Sequence, residues 1–148
     1  MRTILPTPKY VEDFTVTGFS TRTQNTDEFN EKTAKLPALW HQFYASDLAA
    51  GDKIVEVYSN YKSDANGMYT VTVGTHDDNV SAEYATVKVQ AGNYLVFHGE
   101  GPMPLAVVET WKQVWAYFET KRDHQRNFIS DFEEYSGAEK VAIHIGIK

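Results

Sequence analysis

The stretch ISDFEEYSG, residues 129–137, carries three carboxylates, Asp131, Glu133 and Glu134, interleaved with Phe132 and Tyr135. A carboxylate among aromatic rings has few uses. Ionised, it attracts a cation whose charge the ring faces also stabilise, by roughly 0.5–2 kcal/mol each. Empty and desolvated, it holds its proton more tightly, because burial disfavours the charged form. On an exposed edge strand the same acids would only discourage aggregation. Strand alternation puts Asp131, Glu133 and Tyr135 on one side, with Phe132 and Glu134 on the other. Both sides carry a ring and an acid, so these residues alone leave both placements open.

Other chemistry is poorly supplied. Cysteine is absent, which excludes disulfides, zinc–thiolate sites and cysteine nucleophiles. The five histidines (His41, His76, His98, His124 and His144) show no metal-ligand spacing such as HExxH. His76 beside Asp77 and Asp78 reads as a solvated loop. HGEG at 98–101 lacks the lysine and spacing of a phosphate loop, and reads as a turn that Pro102 and Pro104 lead into a helix. No metal, cofactor or catalytic residue is therefore assigned.

The chain has 148 residues, enough for one domain with a real core. Its net charge of −6 argues against nucleic acid as a direct partner, since such binding rests on clustered Lys and Arg. No segment approaches the ~20 apolar residues of a membrane span, and a cytoplasmic protein is expected. The aromatic share is 14%, with nine Tyr, eight Phe and three Trp, more ring surface than a core of this size needs. Some of it is available to line a cavity.

Hydrophobic periodicity supplies the elements that must position these groups. VEDFTVTGFSTRT (11–23) is β-like. Leu36, Leu39, Trp40 and Phe43 follow at helical spacing, with Asn25 or Thr26 as candidate cap and Pro37 expected to kink or divide the helix. KIVEVYSNY and GMYTVTVGT read as strands joined by an Asn-Gly turn. YATVKVQ and NYLVFHGEG form another pair. A second helix, PLAVVETWKQVWAYFETK, is expected to bury Val107, Trp111, Val114 and Phe118, flanked by Val108 and Trp115. NFISDFEEY and KVAIHIGIK close the chain.

This order is β-α-β-β, an extra strand, then β-α-β-β again. ALWHQFY (38–44) matches ETWKQVW (109–115), YSNY (58–61) falls on FEEY (132–135), and TVTVG (70–74) on AIHIG (142–146). Three blocks in one order indicate a duplication with halves at about 10–78 and 84–148. The expected fold is α+β: tandem β-α-β-β halves in a mostly antiparallel sheet, two helices over it, and a ligand cleft at the pseudo-twofold seam. The block alignment places Ser59 on Glu133 and Asn60 on Glu134, so those acids read as additions of the second half.

Taken together, the Val-Thr-Gly of the first strand, ALW on the first helix, VYSNY with YTVTVG, AGNYLVFHGEGP before the second helix, and FEEY before a terminal strand resemble the GyrI-like bacterial effector-binding domain family. The resemblance is closest to its stand-alone members encoded on integron cassettes. It implies one pocket enclosed by the two halves and, as in several relatives, binding of lipophilic cations. The family's pocket glutamate stands two residues before a tyrosine, a position matched by Glu133 before Tyr135. Asp131 and Glu134 are then expected to be solvated. The terminal family strand often offers an aromatic to the pocket where this chain has His144, for which simple packing is the plainer reading.

The expected site comprises Glu133 and Tyr135 with Trp111, Trp115, Tyr58 and Tyr61, the sequence leaving open which tyrosine of the facing half points inward. The expected function is binding of an amphipathic organic cation without catalysis. The alternatives are a protein-interaction module, such as a gyrase inhibitor or a transcription-regulator partner, and a small hydrolase using Glu133 as base and Tyr135 as donor.

Overall fold

A computed structural model describes residues 6–50, 53–64, 66–76, 84–120 and 124–148. Strands β1 (Thr7–Val11) and β2 (Phe14–Thr23) are followed by helices α1 (Asn25–Glu28) and α2 (Leu36–Tyr44). Then come β3 (Ile54–Ser59), β4 (Tyr69–His76), β5 (Ala85–Val89), β6 (Gly92–Glu100), α3 (Leu105–Thr120), β7 (Arg126–Tyr135) and β8 (Lys140–Ile147). All strands join one antiparallel sheet in the order β1-β6-β8-β7-β3-β4-β2-β5. Read inward from either edge the order matches, β1-β6-β8-β7 against β5-β2-β4-β3, with β1 lying beside β6 and β5 beside β2, and the two β-α-β-β units meet where β3 pairs with β7. This is the expected α+β architecture.

Pro37 divides the first helical segment. It stands at the second position of α2, where its missing N–H costs nothing, and α1 is a separate turn before it. The expected Asn25 or Thr26 cap is not made: Gln24 occupies the cap position without a side-chain bond. Asn25 instead accepts the Tyr69 hydroxyl at 2.6 Å. The start of α2 is completed from a distance by Glu28, whose carboxylate accepts the backbone N–H groups of Lys35 and Leu36 at 3.1 Å.

Both longer helices lie on one sheet face. Under α2 pack Leu39, Phe43, Val71 and Val73; under α3 pack Leu95, Val114, Ile143 and Ile145. The buried stripe of α3 is Ala106, Thr110 and Val114, rotated from the expected one; Val107, Trp111 and Phe118 are half-buried and Val108 is exposed. Gly99 explains the rotation, because a Cβ there would lie 2.0 Å from Thr110 Oγ1. Without that Cβ, α3 settles onto β6 along its small residues. The other sheet face buries Val16, Val55, Val57, Val89, Tyr94 and Phe132. β5 runs into β6 through Gln90 and Ala91 alone, although they lie toward opposite ends of the sheet. The sheet must therefore curl, and this second core fills the concave side. No helix among the described residues is long and apolar enough to cross a membrane.

Candidate functional site

At the seam the strands fix which side chains face the helices. In the β3–β7 register, Glu56 stands opposite Glu133, Tyr58 opposite Asp131, and Ile54 opposite Tyr135. Directly opposed residues share a face. The helix-facing side of the seam thus carries Glu56, Tyr58, Asp131, Glu133 and Tyr135, while Val55, Val57, Phe132 and Glu134 face the other way.

Glu133 is 1% exposed. Its Oε2 accepts the Tyr58 hydroxyl at 2.6 Å and the Trp111 indole N–H at 2.5 Å, and its Oε1 accepts the Tyr135 hydroxyl at 2.5 Å. Three converging donors make Glu133 an acceptor, the role of a carboxylate anion. The structure thereby brings Tyr58 and Trp111, from the two halves, onto one oxygen. Their rings meet nearly edge-on with centroids 5.3 Å apart.

Above this group lies a cleft with about 130 Å³ of solvent-sized space, between α1 and the start of α2 on one side and α3 on the other. Tyr58, Tyr61, Tyr69, Trp111, Trp115 and Phe29 supply its aromatic walls. Both tyrosines of the first half that the sequence singled out, Tyr58 and Tyr61, therefore line it. Trp111 and Trp115 lie along one helix face with centroids 6.0 Å apart and their planes tilted by 35°. Glu133 lies beneath the wall rather than in it, and Tyr135 packs edge-on against Trp40 at 5.4 Å, outside the cleft lining. Burial, with the negative field of Glu133 next, pushes the hydroxyls of Tyr58 and Tyr135 well above the usual phenol range, so both remain donors.

Two expectations are overturned here. Asp131 is not solvated; it is 0% exposed. Its Oδ2 accepts Arg126 Nη2 at 2.7 Å and the Tyr61 hydroxyl, while its Oδ1 accepts the Gly146 N–H at 2.8 Å. Arg126 lies over the Phe128 ring at 4.4 Å and also borders the cleft, so the cleft's nearest cation is already neutralised. These partners come from β8, from the chain beyond β3 and from across an irregularity in β7, which strand alternation does not reveal. Glu134 is exposed, as expected.

The second correction concerns Ser59. It pairs with Ser130 and faces away from the helices, so it is not the structural counterpart of Glu133. The residue facing Glu133 from the first half is another acid, Glu56, 3% exposed. Burial above all, and then Glu133, hold its carboxyl well above the usual carboxylate range. The readable signal was the VEVYS pattern, in which a lone acid alternates into the same face as Tyr58. His144 lies on the opposite face, stacked on Phe132 with centroids 4.2 Å apart, and takes no part in the cleft.

Residues 9–147 match the family Cass2, described as integron-associated effector binding protein. YobU of Bacillus subtilis (strain 168), named as a candidate transcriptional regulator, is 39% identical over 129 residues, covering 80% of this chain and 78% of its own. The crystal structure of the Vibrio cholerae integron cassette protein VCH_CASS2 superposes with a TM-score of 0.89 at 35% identity, over 97% of this chain and 96% of that one. SAV2435, solved with tetraphenylphosphonium bound, shares the fold with a TM-score of 0.76 at 17% identity, over 98% and 94% of the two chains.

Proposed function

The chain belongs to the integron-associated effector-binding family, and on that footing we propose that its cleft captures amphipathic organic cations and does so without turning them over. The observation that carries this reading is Glu133: a buried acceptor carboxylate whose hydrogen-bonding rings, Tyr58 and Trp111, are themselves walls of the cleft. A cation seated there meets ring faces worth roughly 0.5–2 kcal/mol each and the charge of Glu133 behind them. The pairing of Arg126 with Asp131 removes the nearest competing positive charge. Tetraphenylphosphonium in a protein of the same fold supports the ligand class.

The test uses ligands matched in shape and different in charge. Methyltriphenylphosphonium is a cation with a methyl group on phosphorus where neutral triphenylphosphine oxide has an oxygen; tetraphenylphosphonium and tetraphenylborate differ in the sign of their charge. Titrated against intrinsic tryptophan fluorescence, the two phosphoniums are expected to bind and the oxide and borate to bind far more weakly. Equal affinity across either pair would overturn the reading.

A further inference from the structure

We propose that Glu56 is a working part of the same site: it carries a proton in the empty cleft and releases it when a cation seats, so that the pocket exchanges a proton for its ligand. This rests on the reading of the cleft as a cation site. The geometry is a pair of carboxyls directly opposed across β3 and β7, both almost wholly buried. Cross-strand side chains in such a pair start about 5 Å apart at their Cβ atoms. Glu133 has three donors, whereas Glu56 Oε1 has no hydrogen-bond partner among the described residues.

Two buried carboxylates this close do not both ionise unless a positive charge joins them. Among the described residues the surroundings offer none. Facing Glu56 are Glu133 and Tyr135 from β7, Tyr58 of its own strand, Tyr69 from β4 and Trp40 from α2. No lysine, arginine or histidine is among the groups acting on it. Arg126, the nearest candidate on the site, is committed to Asp131. The proton therefore resides on the acid with fewer donors, within hydrogen-bonding reach of Glu133.

A ligand cation on the cleft side of Tyr58 and Trp111 supplies the missing charge. The balance is simple: the neutral carboxyl of Glu56 loses its proton to solvent, no bond to the ligand forms, and the two carboxylates then face one cation. Neither family membership nor sequence periodicity assigns Glu56 this role, which also makes it a determinant of ligand charge: once both acids are ionised, a dication gains over a monocation.

Calorimetric titration with tetraphenylphosphonium, repeated in buffers of different ionisation enthalpy, counts the protons released. The wild type is expected to release a proton fraction approaching one per ligand at pH 6–7, with affinity rising toward tenfold per pH unit. Glu56→Gln, which copies the protonated acid, is expected to bind with no proton release and a flat pH profile. Binding without proton release in the wild type would overturn the inference while leaving the cation reading intact. Failure of the wild type to prefer tetraphenylphosphonium over tetraphenylborate would instead sink the cation reading itself. The wild-type buffer series needs no variant to fold.

Discussion

Replacing Glu133 by Gln removes a charge while keeping the shape that holds it. Tyr58 and Trp111 both donate to Oε2. A glutamine carbonyl placed there accepts both, and the Tyr135 hydroxyl turns to accept from the amide. A cation on the cleft side of those rings lies about 6 Å from the carboxylate, where opposite unit charges attract by about 3 kcal/mol at an effective dielectric near 20. That is roughly a hundredfold in affinity. Glu56 complicates the single variant, because a carboxyl freed from its charged neighbour can ionise in its place. It lacks the three donors that hold Glu133, so the replacement is incomplete.

The expected order is therefore a loss of about tenfold or more in Glu133→Gln, and about a hundredfold in the double variant Glu56→Gln, Glu133→Gln. Tryptophan fluorescence reads this directly, since Trp111 and Trp115 line the cleft. Triphenylphosphine oxide is the control and should bind all three proteins alike. Wild-type affinity for tetraphenylphosphonium in the double variant would refute the electrostatic reasoning altogether.

Four further outcomes are expected. Glu56 is held neutral in the fold, so the unfolded chain loses its proton first as pH rises above the usual carboxylate range, and stability falls; Glu56→Gln should gain on the wild type as pH rises through and above that range in urea unfolding, by at most about 1.4 kcal/mol per pH unit, and parallel curves would contradict it. His144 is lowered to about 4 by burial, against an ordinary 6.5, so its contribution is complete above pH 6.5 and lost as pH falls to 4. That loss is about 3 kcal/mol, and a His144→Gln protein with the same acid slope as wild type would show the assignment to be wrong. Asp131→Ala strands a buried Arg126 and should cost about 3–5 kcal/mol, read as a lower urea midpoint. Incubation with simple aryl esters should release no product above buffer, and turnover abolished by Glu133→Gln would revive the hydrolase reading.

Which parts of this were legible follows from what each signal measures. Alternation in FEEY correctly separated Glu133 and Tyr135 from Phe132 and Glu134, because a strand's period holds wherever the strand lies. It could not say that Asp131 is buried, since the partners that make burial tolerable, Arg126, Tyr61 and the Gly146 N–H, come from separate parts of the chain. The repeat alignment matched rings on β3 and β7 without regard to face: it puts Ser59, which points away from the helices, on Glu133, which points toward them. Glu56 meets Glu133 through the pairing of β3 with β7, which an alignment of repeats does not report. Pro37 was read correctly as a break because its lost N–H acts locally, whereas the rotation of α3 depends on a glycine in a neighbouring strand.

The division of labour in the site follows the same lines. The charge is set by strands: Glu56 and Glu133 sit on the two central strands of the sheet, held by register and by rings from both halves. The cover is set by the slightest element, α1, four residues long with none buried, followed by Phe29 at 72% exposed and meeting Trp115 edge-on at 6.0 Å. A tetraaryl cation exceeds the space the cleft now offers, so its entry must part α1 and Phe29 from α3 while the sheet stays as it is. Two acids buried together weaken the sheet, since a hydrophobic pair of similar volume at that position would avoid the desolvation penalty. Their placement makes sense when the missing stabilisation arrives with the ligand: the sheet demands a positive charge, and the loosely seated wall leaves the shape of its carrier open.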